Sequence, residues 1–377
     1  MERAQDAPLA HLDDHPMVDE EPIHVTRTVL PEKAVYQRLM DHAWDDRRMT
    51  NNGPLVVELE NVLRDYLAVP HLALVSNGTL ALQIAIRALG LKGKIITTPF
   101  SYVATASAIL WEGCEPVFAD IDPETCCIDP ARIESAIVPG VSAIMATHVY
   151  GIPCDVAAIE AIARMHGLKV IYDGAHAFGA MYRGRCLSAY GDACTLSLHA
   201  TKLYHTIEGG AVITHEARHD ADVRLLRSFG HIRDEHFALG INAKLSEPHA
   251  AMGLALFPEV DGFIKQRSTI SAWYDERIAD LPLRKPQIPS ETTFNFGYYP
   301  VFFDSEAERE RAIQVMQAAC VFPRRYFFPS LDRLPYVRSA EMPVSIKAAA
   351  TSLCLPLYPG LTQAQVDRVV SALRHTW

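Results

Sequence analysis

The sequence predicts an α/β fold with a central, mostly parallel mixed sheet flanked by helices and a smaller α+β C-terminal domain. Three observations carry that reading. From about residue 55 to residue 175, short apolar runs alternate with amphipathic helical stretches, the pattern of strand–helix–strand crossovers in a sheet covered on both faces. ACTLSLHA (193–200) and GGAVIT (209–214) then follow each other too closely for a crossover helix, so an antiparallel part of the sheet is expected there. Beyond about residue 260 helices and one apolar strand mix without that alternation, as in a small α+β unit. The expected division is a flexible extension over 1–22, a large domain over 23–260 and a small domain over 261–377.

The elements justify themselves in order. Residues 1–22 are polar and acidic, with no helical or strand period, hence an extension without a core of its own. LVVELENVLRDYL (55–67) has helical spacing, LALVS (72–76) is a buried strand, and SNGT opens the helix LALQIAIRALG (80–90), which a glycine closes. The unit recurs as KIITTP (94–99) with YVATASAILWEG (102–113), PVFADID (116–122) with PARIESAI (130–137), and AIMATHVYG (143–151) with VAAIEAIARMHG (156–167), ending on KVIYDGA (169–175). INAKLSEPHAAMGLALF (241–257) reads as one helix. GYYPVFF (297–303) is a strand between the helical QRSTISAWYDERIADL (266–281) and SEAERERAIQVMQAA (305–319), and TQAQVDRVVSALRHTW (362–377) is the last helix.

Composition excludes several functions. The chain has 377 residues and a net charge of −10, with 45 Asp and Glu against 35 Lys and Arg; nucleic acid and anionic membranes select the opposite balance. No run approaches the roughly 18 apolar residues of a membrane span. Eight cysteines occur without a CxxC pair, and 16 histidines without HExxH, so no metal site is expected and the thiols read as buried groups of a cytoplasmic protein.

Three sites carry chemistry. Ser76-Asn77-Gly78-Thr79, between a buried strand and a helix, is either an ordinary N-cap or a phosphate cradle, in which free N–H groups and the helix dipole meet an anion. Asp173, at the tip of KVIYD, either caps the following turn or faces a ligand at the carboxyl end of the sheet. His176 follows three residues on. Lys202, in SLHATKLYHTIEGG (197–210), is a surface charge or, in a cleft that lowers its pKa, an amine for Schiff-base chemistry. Phosphate anchor, pyridinium partner and reactive amine are together the three protein groups that pyridoxal phosphate requires.

SNGTLALQIAI, ITTPFSYVATASAI, PVFADIDPET, HVYGIPCD, YDGAHAFG, SLHATKLYHTIEGG, INAKLSEPHAAMGL and FPRRYFFPSL, in that order, resemble the DegT/DnrJ/StrS family of sugar aminotransferases from about residue 23 to the C-terminus. The resemblance implies a pyridoxal phosphate-dependent transferase of fold type I. It also implies a cytoplasmic homodimer that moves the amino group of L-glutamate to a nucleotide-linked keto-deoxy sugar in a ping-pong cycle. Carried over by motif, Lys202 resembles the lysine that binds the cofactor covalently and moves the proton, and Asp173 the carboxylate on the pyridine nitrogen. His176 matches the residue packed near the ring, Tyr102 the aromatic on the ring face, and Gly78, Thr79 and Ser197 the phosphate site. Asn242 matches an asparagine that reaches the phosphate of the neighbouring subunit.

The motifs are most similar to the viosamine-type branch, implying amination at C4 of dTDP-4-keto-6-deoxy-D-glucose, a step of deoxyamino-sugar biosynthesis such as that of O-antigen lipopolysaccharide. A 3-aminotransferase acting on a dTDP-3-keto-6-deoxyhexose and a non-catalytic regulator that binds the cofactor are the alternatives. His205, Gly174 and the pair Arg47-Arg48 depart from the residues frequent in the family, and are expected to bear on which sugar is bound.

Overall fold

The computed structural model describes residues 21–338 and 340–377. The expected flexible extension therefore lies, but for Glu21 and Pro22, outside the described residues. Before the sheet come two helices, α1 (Lys33–Asp45) and α2 (Pro54–Tyr66). The sheet itself has seven strands: β1 (His71–Val75), β2 (Lys94–Thr97), β3 (Glu115–Phe118), β4 (Val141–Thr147), β5 (Lys169–Asp173), β6 (Ala193–Ser197) and β7 (Gly210–Thr214). They lie in the order β1-β7-β6-β5-β4-β2-β3. All neighbours are parallel except those of β7, which runs antiparallel to both β1 and β6. The mixed sheet with one antiparallel strand is thus as the close spacing of the last two apolar runs predicts.

Alternation of side chains explains why these strands are apolar throughout. Ile144 and Ala146 of β4, with Leu72, Leu74 and Tyr172, face one hydrophobic core. Ala143 and Met145 of the same strand, with Ala73, Val75 and Ile171, face a second core on the other side. The helices that cover the faces are α3 (Gly78–Ala88), α4 (Ala104–Trp111), α5 (Pro130–Ser135), α6 (Val156–His166), α7 (Ala217–Leu226) and α8 (Glu247–Leu256). Their ends are set locally. The Asn77 side chain accepts from Leu80 N at 2.9 Å to start α3, and Asp155 accepts from Ala158 N at 3.0 Å to start α6, which ends on Gly167 at φ 65°.

A third core lies beyond the sheet. It gathers α9 (Val260–Arg277), β8 (Tyr299–Phe302), α10 (Glu306–Ala318), β9 (Ser352–Leu355), antiparallel to β8, and α12 (Gln363–Arg374), with α11 (Pro343–Thr351) leading into β9. Helix α9 serves two cores: Val260 and Phe263 belong to the first, Ile270 and Tyr274 to the third. Between them the buried Arg267 donates to Gly297 O at 3.2 Å and Leu357 O at 2.9 Å. Ile23 also packs in the third core.

One predicted element is shorter than expected. Residues 241–246 are extended rather than helical, bridging Ser228 to Asn242 and Val75 to Lys244, and α8 begins only at Glu247. Pro248 accounts for this: in the first turn it starts a helix, but it disfavours helical backbone in the residue before it. Helices α1, α7 and α11 and strand β9 are not predicted. Of α1 only Ala43 is buried, so the helix lacks the wide apolar stripe that periodicity detects.

Candidate active site

The carboxyl ends of the parallel strands and the amino end of β7 share one edge of the sheet. In register, Gly210 stands opposite both Val75 and Ser197, so the turn after β1 and the start of α3 lie directly over β7. The approach is close: a Cβ on Gly210 would fall 2.5 Å from Asn77 O and 2.8 Å from Gly78 N, and one on Gly78 would fall 2.9 Å from the Ser197 Cβ. Two glycines therefore let the amino terminus of α3 settle onto the sheet, where its free N–H groups, Thr79 and Ser197 surround one spot.

That spot is one wall of a cavity of about 270 Å³. Gly78, Thr79, Tyr102, Asp173, His176, Ser197 and Lys202 all line it, seven of the eight residues anticipated from sequence. Asn242 does not. It is exposed on the extended segment before α8, where its Oδ1 accepts from Lys244 Nζ at 2.7 Å.

Asp173 is held by a chain of hydroxyls: Thr105 Oγ1 donates to Oδ2 at 2.8 Å, Ser101 Oγ lies 2.8 Å from Thr105 Oγ1, and Thr147 Oγ1 donates to Ser101 Oγ at 3.1 Å. Oδ1 accepts from Ala175 N at 3.1 Å. Burial raises the Asp173 pKa from the ordinary carboxyl value, opposed by the Thr105 and Ala175 hydrogen bonds and by the charge of Lys202. The same desolvation lowers the Lys202 pKa from that of a free lysine, opposed by Tyr326, Asp173 and Tyr102. Burial, with the Lys202 charge, holds His176 far below the usual imidazole value, so its ring is neutral; its Nδ1 is buried without a partner. The Lys202 amine donates to the Tyr298 hydroxyl at 3.0 Å.

Sequence reasoning missed the far wall. Tyr298, Arg324, Tyr326 and Phe327 line the cavity from the other end of the chain, and the Phe327 ring stacks on His176 at 5.3 Å. The aromatic string FPRRYFFPSL was the available signal, without roles for its members. The departures from the family pattern prove structural. His205 is buried, with Nε2 2.8 Å from Val29 O and Nδ1 accepting from Ile207 N at 3.1 Å. Arg48 holds the turn at Asn51 and Asn52 through two 3.1 Å bonds to their carbonyls. A Cβ at Gly174 would meet Cys194 Sγ at 2.8 Å. None of the four lines the cavity, which corrects the expectation that they govern the choice of sugar by contact.

Pyridoxal phosphate fits these residues: a helix terminus bared by two glycines for the phosphate, a buried carboxylate for a cationic ring nitrogen, an unpartnered buried imidazole nitrogen and a lysine amine in one cavity. Among the described residues no cluster of His, Cys, Asp and Glu suits a metal, and no helix is long and apolar enough to cross a membrane.

Comparison with known proteins agrees. Residues 32–374 match the DegT/DnrJ/EryC1/StrS aminotransferase family. Two relatives named dTDP-4-amino-4,6-dideoxy-D-glucose transaminase are similar across nearly their full lengths. The one from Shigella dysenteriae is 38% identical and the one from Escherichia coli 36%, each match covering 94% of this chain and 99% of the relative. The crystal structure of DesI, determined in the presence of its TDP-sugar product, superposes with a TM-score of 0.90 at 34% identity, covering 94% of this chain and 93% of DesI. This chain therefore belongs to the DegT/DnrJ/EryC1/StrS aminotransferase family, whose members are pyridoxal phosphate-dependent enzymes.

Proposed function

We propose that this chain transfers the amino group of L-glutamate to C4 of dTDP-4-keto-6-deoxy-D-glucose, giving dTDP-4-amino-4,6-dideoxy-D-glucose. The observation that carries this reading is the end-to-end similarity, at 38% and 36% identity, to two transaminases of that name.

Pyridoxal phosphate, when bound, carries the amino group between substrates and takes up the electron pair left as a C–H bond breaks. The protein's residues do the rest. The N–H groups at the start of α3, with Gly78, Thr79 and Ser197, bind the phosphate. Asp173 holds the ring nitrogen protonated, a pairing that also offsets the burial of both charges. Tyr102 offers an aromatic face at the cavity, and His176, neutral, packs beside the ring. Lys202 holds the cofactor covalently at rest and otherwise moves the proton through its Nζ, which requires a neutral amine; its lowered pKa supplies one. Arg324 lines the cavity with no carboxylate partner among the described residues, and both substrates carry anionic groups for it.

Assembly and location belong to the same proposal. Asn242 stands outside its own cavity, and exposed Trp111, Leu239 and Ile241 border a groove of about 900 Å³ that shares Asn77, Thr79 and Glu208 with it. This supports a homodimer in which Asn242 completes the partner's phosphate site. Eight free thiols fit the cytoplasm. The separate third core supports a division into a large unit ending near residue 260 and a small one after it.

The test is incubation with dTDP-4-keto-6-deoxyglucose, glutamate and cofactor, with NMR of the product. Nitrogen on C4 is expected; an amine on C3, or no transfer, sinks the assignment.

A further inference from the structure

Tyr298 is the one hydrogen-bond partner of the Lys202 amine among the described residues, its hydroxyl accepting from Nζ at 3.0 Å. Its ring is fixed on several sides. It meets His176 edge-on at 4.8 Å and Tyr326 edge-on at 5.7 Å, and lies 6.0 Å from the ring of Tyr150. The chain before it is clamped as well: Asn295 Nδ2 donates to His176 O at 2.8 Å and Phe178 O at 2.9 Å, and Arg267 holds the Gly297 carbonyl. The hydroxyl is thus a fixed point, whereas a lysine amine rides on a flexible four-carbon stem.

We propose that Tyr298 is a positioning residue of the transfer reaction, whose hydroxyl holds the Lys202 amine, aimed into the cavity, whenever that amine is not bonded to the cofactor. The proposal rests on Lys202 being the reactive lysine. A hydroxyl suits the task better than a carboxylate would. It accepts from an ammonium and donates to the lone pair of a neutral amine, so it follows Nζ through both protonation states; a carboxylate would lock the amine as an ammonium. Holding the amine in place removes the rotamer search from each proton transfer. The other titratable groups facing Nζ are Asp173, Tyr102, Tyr326 and His176, and none of them bonds to it.

Tyr298→Phe keeps the ring and its packing and removes one oxygen. Cofactor loading, read as visible absorbance, and the thermal midpoint stay as in the unaltered protein. Single-turnover rates of both half-reactions fall about tenfold, the cost of one mispositioned group, while KM for the sugar nucleotide does not rise. In cofactor-free protein, the pH dependence of Lys202 labelling by an amine-reactive reagent, followed by mass spectrometry, gives the amine pKa directly. It drops by about half a unit to one unit, because a hydrogen bond to the ammonium is worth more than one to the amine. Unaltered rates and an unaltered labelling profile in a fully loaded variant would overturn the role of Tyr298. Visible absorbance persisting in Lys202→Ala would overturn the reading of the site beneath it, and the proposal with it.

Discussion

At Gly210 a motif acquires its physical reason. The string EGG was recognisable in the sequence, but why glycine is required could not be read there, because the atoms that forbid a side chain belong to Asn77 and Gly78, far away in the chain. Gly210→Ala places a methyl group against the backbone that begins α3, and backbone does not yield as a flexible side chain does. The substitution is expected to cost about 1–3 kcal/mol of stability and to push the phosphate-binding amides off their positions. Equilibrium titration with pyridoxal phosphate should show at least a tenfold weaker affinity in a variant whose circular dichroism is unaltered; full affinity would show that α3 does not need this seat. Tyr298 and Thr105 illustrate the converse. A tyrosine in FNFGYYP and a threonine in YVATAS carry no local sign of chemistry, and only the fold puts their hydroxyls on Lys202 and Asp173.

The alternating strands and helices of the sheet were legible because burial on both faces makes each strand apolar along its length, and each helix over it needs a stripe. What escaped were elements stabilised from outside themselves. Helix α2 shows how far that extends. Its N-cap, Gly53, has no side chain to offer, and the first N–H groups are satisfied by the wholly buried Glu247 of α8, which accepts from Leu55 N at 2.8 Å and Val56 N at 3.1 Å. Glu247 N in turn donates to Met49 O at 3.0 Å. One carboxylate thus joins the start of α2 to the start of α8. Glu247→Gln replaces an acceptor oxygen with an NH₂ facing a backbone donor and removes the negative charge from a helix N-terminus. A loss of about 2–4 kcal/mol is expected, measurable as a lower denaturant midpoint with pyridoxal phosphate binding retained once folded. A midpoint within error of the unaltered protein would refute this account of the cap.

Taken together, the buried histidines govern how the molecule answers to acid. Burial lowers the pKa of His148 to about 3 and that of His176 far below the usual value. His148 is stacked on Tyr172 at 4.6 Å and uses Nδ1 to accept from Cys154 N at 3.1 Å, which a protonated ring could not do. Both rings are neutral in the fold and free to protonate once unfolded. For groups with depressed folded-state pKa values, this stability is complete above the unfolded imidazole pKa of about 6.5 and is lost as pH falls toward 3, at about 1.4 kcal/mol per pH unit for each histidine. Asp173, with its pKa raised, works the other way and offsets part of the loss at the acid end. Overall charge does not explain the fall: a net −10 shrinks toward neutrality on acidification, which eases self-repulsion. The thermal midpoint of the cofactor-free protein should therefore drop steadily from pH 6.5 to pH 5. His148→Asn, which keeps an acceptor for Cys154 N but cannot titrate, should drop less steeply while starting lower. Calorimetry across that range decides it, and equal slopes in the two proteins would remove His148 from the account.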